Sequence, residues 1–123
     1  MKTFEESQSE KPGNDAIENI GAAKRKIIQR LSILARKNGF EYNKVTIRNQ
    51  KSRWGSCSSK NNISLNIKLV KLPEELMDYV ILHELVHTRV KNHSRDFWHE
   101  LDKYVGDAKA LRKQMKNYML MSL

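Results

Sequence analysis

The sequence predicts one small domain that mixes α-helices with a short run of β-strands, and three observations carry that reading. Between Ile17 and Leu34 apolar residues recur every three or four positions, the period of a helix. Residues 44–48 and 62–69 alternate polar and apolar side chains, the period of a strand. The stretch after Pro73 is apolar nearly all round, so it belongs at the centre of the core. At 123 residues the chain is long enough for one such core without disulfides or metals to staple it.

Taken in order, residues 1–15 contain Pro12-Gly13 and almost no apolar groups, and are expected to be a disordered tail before a single domain over 16–123. A helix is expected from about Asp15 to Lys37, with Ile17, Ile20, Ala23, Ile27, Leu31 and Leu34 on its inner face and Gly39 as its left-handed cap. Lys44–Arg48 and Asn62–Leu69 are the strands, the second with Ile63, Leu65, Ile67 and Leu69 on one face. Between them, Asn49–Asn61 is rich in Ser, Lys, Gly and Asn and reads as a structured loop. Pro73 opens the apolar helix, and Glu74 and Glu75 suit its first turn. Val90–Asn92 is a turn. Ser94 caps a helix ending at Gly106, with Phe97, Trp98, Leu101 and Val105 inward. Asp107 caps a last helix with Leu111, Met115 and Tyr118 inward.

Cys57 is the single cysteine, so the chain forms no internal disulfide and suits a reducing compartment. The amino-terminal residues lack the apolar run of a signal peptide, and no stretch approaches a membrane span. A cytoplasmic protein without a membrane partner is the expectation. The net charge of +9 is unevenly spread: residues 21–72 hold 13 basic groups and one acidic group, Glu41. Such a block either attracts nucleic acid or forms a solvated basic face, and Arg25, Lys26, Arg30, Arg36 and Lys37 are its candidate contacts.

The chemistry lies in His83-Glu84-Leu85-Val86-His87 and in His93. On a helix, His83 and His87 project from one face one turn apart and can clamp one metal ion. Glu84 can reach a water held there, and His93, just past the helix, can fold back as a third ligand. Three ligands leave an open position, the mark of a catalytic rather than a structural zinc site.

With Arg53-Trp54-Gly55-Ser56-Cys57-Ser58, Ile63-Ser64-Leu65-Asn66 and Asn92-His93-Ser94 before Phe97-Trp98, the chain resembles the YgjP-like metallopeptidase domain, a branch of the HExxH zincins related to the SprT-like proteases. The resemblance covers roughly residues 20–120 and is that of a short form, without the half-chain that precedes this domain in longer members. It implies an α+β zincin-like fold: a short antiparallel sheet with the HExxH helix buried behind it. It also implies zinc on His83, His87 and His93, Glu84 as general base, and a peptide or protein substrate. The spacing to His93 also equals that of the metzincins. Val90 replaces their turn glycine and no Met-turn follows, so that assignment is rejected, and Asn92 is expected to take the unusual backbone conformation instead.

Other roles stay open at this level. Tyr104, His99, Arg95 and Arg89 are candidates for the oxyanion donor and the sequence does not choose among them, although His99 reads rather as a surface or hydrogen-bonding residue because the ligand set is complete without it. Residues 53–58 either shape the substrate groove or form a tight turn, with Trp54 in the core and Gly55 at positive φ. Cys57 reads as a buried small hydrophobe rather than a ligand. The strand from Ile63 offers an edge for an extended peptide, with Asn66 near the groove. Two other functions compete with the plain metallopeptidase. One is a DNA-associated SprT-like protease that acts on protein bound to nucleic acid. The other is a nucleic-acid-binding module with a vestigial metal site, which an intact Glu84 argues against.

Overall fold

A computed structural model describes Ile17 and residues 19–118. The expected tail over 1–15 lies outside the described residues. Four helices and a three-stranded sheet follow in the order α1 (Ile20–Asn38), β1 (Val45–Arg48), β2 (Gly55–Cys57), β3 (Ile63–Asn66), α2 (Glu74–Val86), α3 (Arg95–Val105) and α4 (Ala108–Met115). No helix among the described residues is long and apolar enough to cross a membrane.

Helix α1 begins later than the periodicity suggests. The side chain of Asn19 accepts a hydrogen bond from the Ala22 N–H at 2.8 Å and starts the helix there. Ala23, Ile27, Leu31 and Leu34 form its buried stripe. Gly39, at φ 73°, closes it as a left-handed cap.

The sheet is mixed rather than antiparallel. Its order is β1-β3-β2, with β3 antiparallel to β2 but parallel to β1. The reason lies in the connections. A tight turn over 58–62, with Asn61 at φ 64°, folds β3 back along β2. Residues 49–54 carry the chain far enough that β3 enters between its two predecessors. The expected free edge on β3 therefore does not exist, because β3 is central and bonded on both sides. Beyond it, Ile67 and Leu69 are buried as expected, but in a 3₁₀ turn over Ile67–Lys71 rather than in a strand. Asn66 causes the change: its side-chain oxygen accepts from the Lys68 N–H at 3.0 Å, replacing the ladder with a local bond.

Helix α2 runs through the middle. Leu76, Met77, Val80, Ile81, Leu82, Leu85 and Val86 are all buried, against α1 and the 3₁₀ turn on one side and β2, α3 and α4 on the others. A fully buried leucine truncated to alanine costs about 2–5 kcal/mol, so Leu85→Ala alone removes a large share of a small domain's stability. Helix α3 buries Phe97 and Leu101. Gly106, at φ 92°, ends α3, and Asp107 caps α4 through the Ala110 N–H. Leu111 is buried and Met115 half-buried, whereas Tyr118 is exposed.

Candidate metal centre and groove

The last turn of α2 brings His83 and His87 onto one face. The chain then bends back at 88–92 and delivers His93 beside them. One nitrogen from each of the three lies within 4.8 Å of the others. The bend is fixed by His87 itself, whose Nδ1–H donates to the Val90 carbonyl at 2.9 Å. That bond sets the tautomer and leaves Nε2 as a lone pair aimed at His93 Nε2, 3.1 Å away. Two imidazole lone pairs so close repel unless a proton or a cation lies between them. Tetrahedral zinc, bonded at about 2.0–2.1 Å, sets neighbouring ligand atoms roughly 3.3 Å apart, so the donor set fits such an ion. Burial pushes the pKa of both His87 and His93 below the usual histidine value, which keeps them neutral and ready to ligate at neutral pH.

Asn92 keeps an ordinary backbone, since Asn61 is the one non-glycine at positive φ among the described residues. Its contribution is a side-chain bond instead, accepted from the Ser94 N–H at 3.2 Å. Lys91 adds a second tie. Its ammonium donates to the Ser58 carbonyl at 3.0 Å and to the Asn61 side chain, which clips the histidine bend to the β2–β3 turn.

Phe97 is the part of the centre that periodicity counts only as core. Fully buried, it stacks on His87 with ring centroids 4.3 Å apart and meets His83 and His93 edge-on at 4.9 and 5.0 Å. It fixes the three ring planes at once. The clue in the sequence is its position, four residues beyond His93 on the inner face of α3.

Glu84 is 95% buried yet lines the groove, with Oε2 3.2 Å from His83 Nδ1. Gly55 explains how a strand passes so close. A Cβ there would lie 3.1 Å from the Glu84 side chain and 3.2 Å from the Ser64 carbonyl. The glycine serves close approach, and the expected positive φ is absent.

The groove beside the histidines encloses about 480 Å³. Trp54 lines it while packing partly on the core, so both readings of residues 53–58 apply to that residue. Asn66 does not line it. It is 2% exposed, and its amide donates to the Gln50 and Arg53 carbonyls at 2.8 and 3.0 Å, holding the loop before β2 from behind. Cys57 is half-buried on β2 and lies outside the histidine cluster.

None of the four candidate oxyanion donors lines the groove. Arg89 stacks 4.0 Å over Phe40 and bonds Glu100, Tyr104 and the Gly39 carbonyl, tying the end of α1 to α3. His99 and Arg95 are exposed elsewhere on α3. The groove instead holds Tyr79, one turn before His83, and Arg112 from α4. Burial pushes the Tyr79 hydroxyl up to about 12, so it stays a proton donor at neutral pH. Arg112 belongs to the last predicted helix, whose charged positions carried no spacing signal.

Away from the groove's lining, Arg25, Lys26, Arg36 and Lys37 are exposed along α1. Arg30 is not available with them. Its guanidinium makes two bonds of 2.7 Å to the Asp78 carboxylate on α2, which also raise its pKa.

Two archaeal metallopeptidase zymogens have similar structures. Abylysin of Pyrococcus abyssi is 29% identical, with a TM-score of 0.63 over 75% of this chain and 94% of its own. Jannalysin of Methanocaldococcus jannaschii is 27% identical, with a TM-score of 0.53 over 82% and 97%. A Wss1 mutant of Saccharomyces cerevisiae shares the fold at 20% identity, with a TM-score of 0.55 over 76% and 80%. No curated protein matches the chain. The histidine cluster, the buried glutamate and the fold thus occur together in a chain whose residues 4–118 match the model of the YgjP-like metallopeptidase domain, and the protein belongs to that family of peptidases.

Proposed function

We propose that this peptidase is a zinc enzyme that holds its metal on His83, His87 and His93 and uses Glu84 as general base. The observation that carries the reading is the convergence of three imidazole nitrogens within 4.8 Å at the edge of a groove that also exposes one buried carboxylate. When bound, zinc supplies Lewis-acid polarisation of the scissile carbonyl and lowers the pKa of a bound water. Glu84 takes the proton from the attacking water and returns it to the leaving amine. Tyr79, protonated throughout the neutral range, is the groove's neutral donor toward the developing oxyanion. Trp54 walls the groove where an extended peptide would lie, and the half-exposed strand β2 beneath it is the sheet edge nearest Glu84.

The test is zinc content and peptide hydrolysis measured together. Glu84→Gln should keep zinc and lose about 10²–10⁴ in rate. A variant that retains more than about a tenth of the rate removes Glu84 from the base role.

The exposed row of Arg25, Lys26, Arg36 and Lys37 favours a second reading, in which the substrate is a protein bound to nucleic acid. Contact with phosphates would make binding weak, insensitive to sequence and steeply salt-dependent. Retention on DNA at low salt tests it, and binding that does not change with salt removes it.

A further inference from the structure

We propose that Arg112 selects substrates by binding a carboxylate near the scissile bond, either an acidic side chain or the chain's own C-terminus. The proposal rests on the peptidase reading above. Arg112 projects from α4 into the groove that His83, Glu84 and His93 line, and it is the one cation among the lining residues. Its guanidinium lies 5.5 Å over the Trp98 ring, which steadies it by a cation–π contact and leaves its N–H edge open. It pairs with no carboxylate among the described residues, in contrast to Arg30 with Asp78 and Arg89 with Glu100.

A planar guanidinium with free donors presents the fork that a carboxylate fits bidentately. The one carboxylate among the residues that line the groove, Glu84, is held against His83 and under Gly55, and its role needs it to stay there. The partner for Arg112 therefore arrives with the substrate. Around it, Trp98, Trp54 and Met115 offer apolar surface, so the matching peptide carries apolar residues beside the acid.

The test is a set of peptides of one sequence that differ only in charge: Glu or Gln near the scissile bond, each with a free or an amidated C-terminus. The wild type should favour one carboxylate-bearing form over its neutral counterpart by about 10–100-fold in kcat/KM, through KM. The Glu/Gln arm and the free/amidated arm distinguish the two sources of the carboxylate. In Arg112→Ala the ratio should fall to near one, and Arg112→Lys should restore part of it. Wild-type enzyme that ignores substrate charge overturns the proposal. So does an Arg112→Ala enzyme slowed equally on every peptide, because that outcome reports packing on Trp98 or an oxyanion role. Binding of the same peptides to zinc-loaded Glu84→Gln, followed by Trp54 and Trp98 fluorescence, reads the charge preference without turnover. It separates a wrong specificity from a wrong reaction.

Discussion

The carboxyl end of α2 and the outer face of α1 hold most of the chain's chemistry, and they are organised in opposite ways. At the end of α2, three histidines and a glutamate converge on one point, each held by a named neighbour: Val90 for His87, Gly55 for Glu84, Phe97 for all three rings. Along α1, the cations are spread over exposed turns, and the one held by two bonds, Arg30, is tied to Asp78. A site needs its groups fixed relative to one another, and charge density alone does not fix them. The contrast predicts large, specific effects at the first region and small, graded ones at the second.

The largest effect is expected from His87→Ala, which removes a proposed ligand and the bond that sets the bend. Metal content measured on purified protein should fall well below one per chain, and hydrolysis should fall with it. Stoichiometric metal in this variant would break the comparison at its strong end. Next comes Phe97→Ala, expected to cost about 3–5 kcal/mol in urea or thermal unfolding because a fully buried ring is lost. It should also weaken metal binding, since ring planes held less firmly must be ordered by the metal itself. Metal affinity unchanged in the folded variant would limit Phe97 to the core. Gly55→Ala is expected to slow hydrolysis more than it lowers stability, because the added methyl meets Glu84 first. A loss of stability without loss of rate would place its importance in the sheet.

The pH dependence of the metal-free protein is milder. His87 and His93 have folded pKa values below the ordinary 6.5. As pH falls through about 6.5 the unfolded chain takes up protons before the folded one does, so stability should fall with pH in that window. Unfolding midpoints of metal-free protein at pH 7.5 and 5.5 check the sign. A midpoint that rises on acidification contradicts it. The smallest effect is expected from charge reversal at Arg25, Arg36 and Lys37, which should reduce low-salt DNA retention while leaving metal content and fold intact. An effect on metal content would join the α1 face to a groove whose lining includes none of these three residues.

Much of the centre was legible because it is written in short-range spacing. His83 and His87 are four apart on a helix, and the apolar surroundings mark that helix as buried, so their faces follow from geometry. His93 was legible because six residues leave little freedom in where it lands. What was not legible depends on pairings across the chain. The parallel register of β1 with β3 follows from how residues 49–61 return. The tasks of Asn66 and Gly55 follow from which backbone passes behind or over them. Arg112 and Tyr79 entered the groove only when α4 packed beside α2. Residue type suggested Arg89 and Tyr104 for chemistry, but they close a structural network with Glu100.

The central place of β3 has a consequence for the order of assembly. It is the last strand in the sequence and the middle strand of the sheet, so the sheet cannot grow by simple addition. The β2–β3 hairpin is local and forms on the microsecond scale, whereas pairing β1 with β3 must close a longer loop. The hairpin should therefore form early and dock as a unit, bringing Gly55 down over Glu84 as the sheet is completed. Peptidase competence then arrives with the late steps of folding, and substitutions at Val45 or Ile47 should slow the recovery of activity on refolding more than substitutions in the β2–β3 turn do.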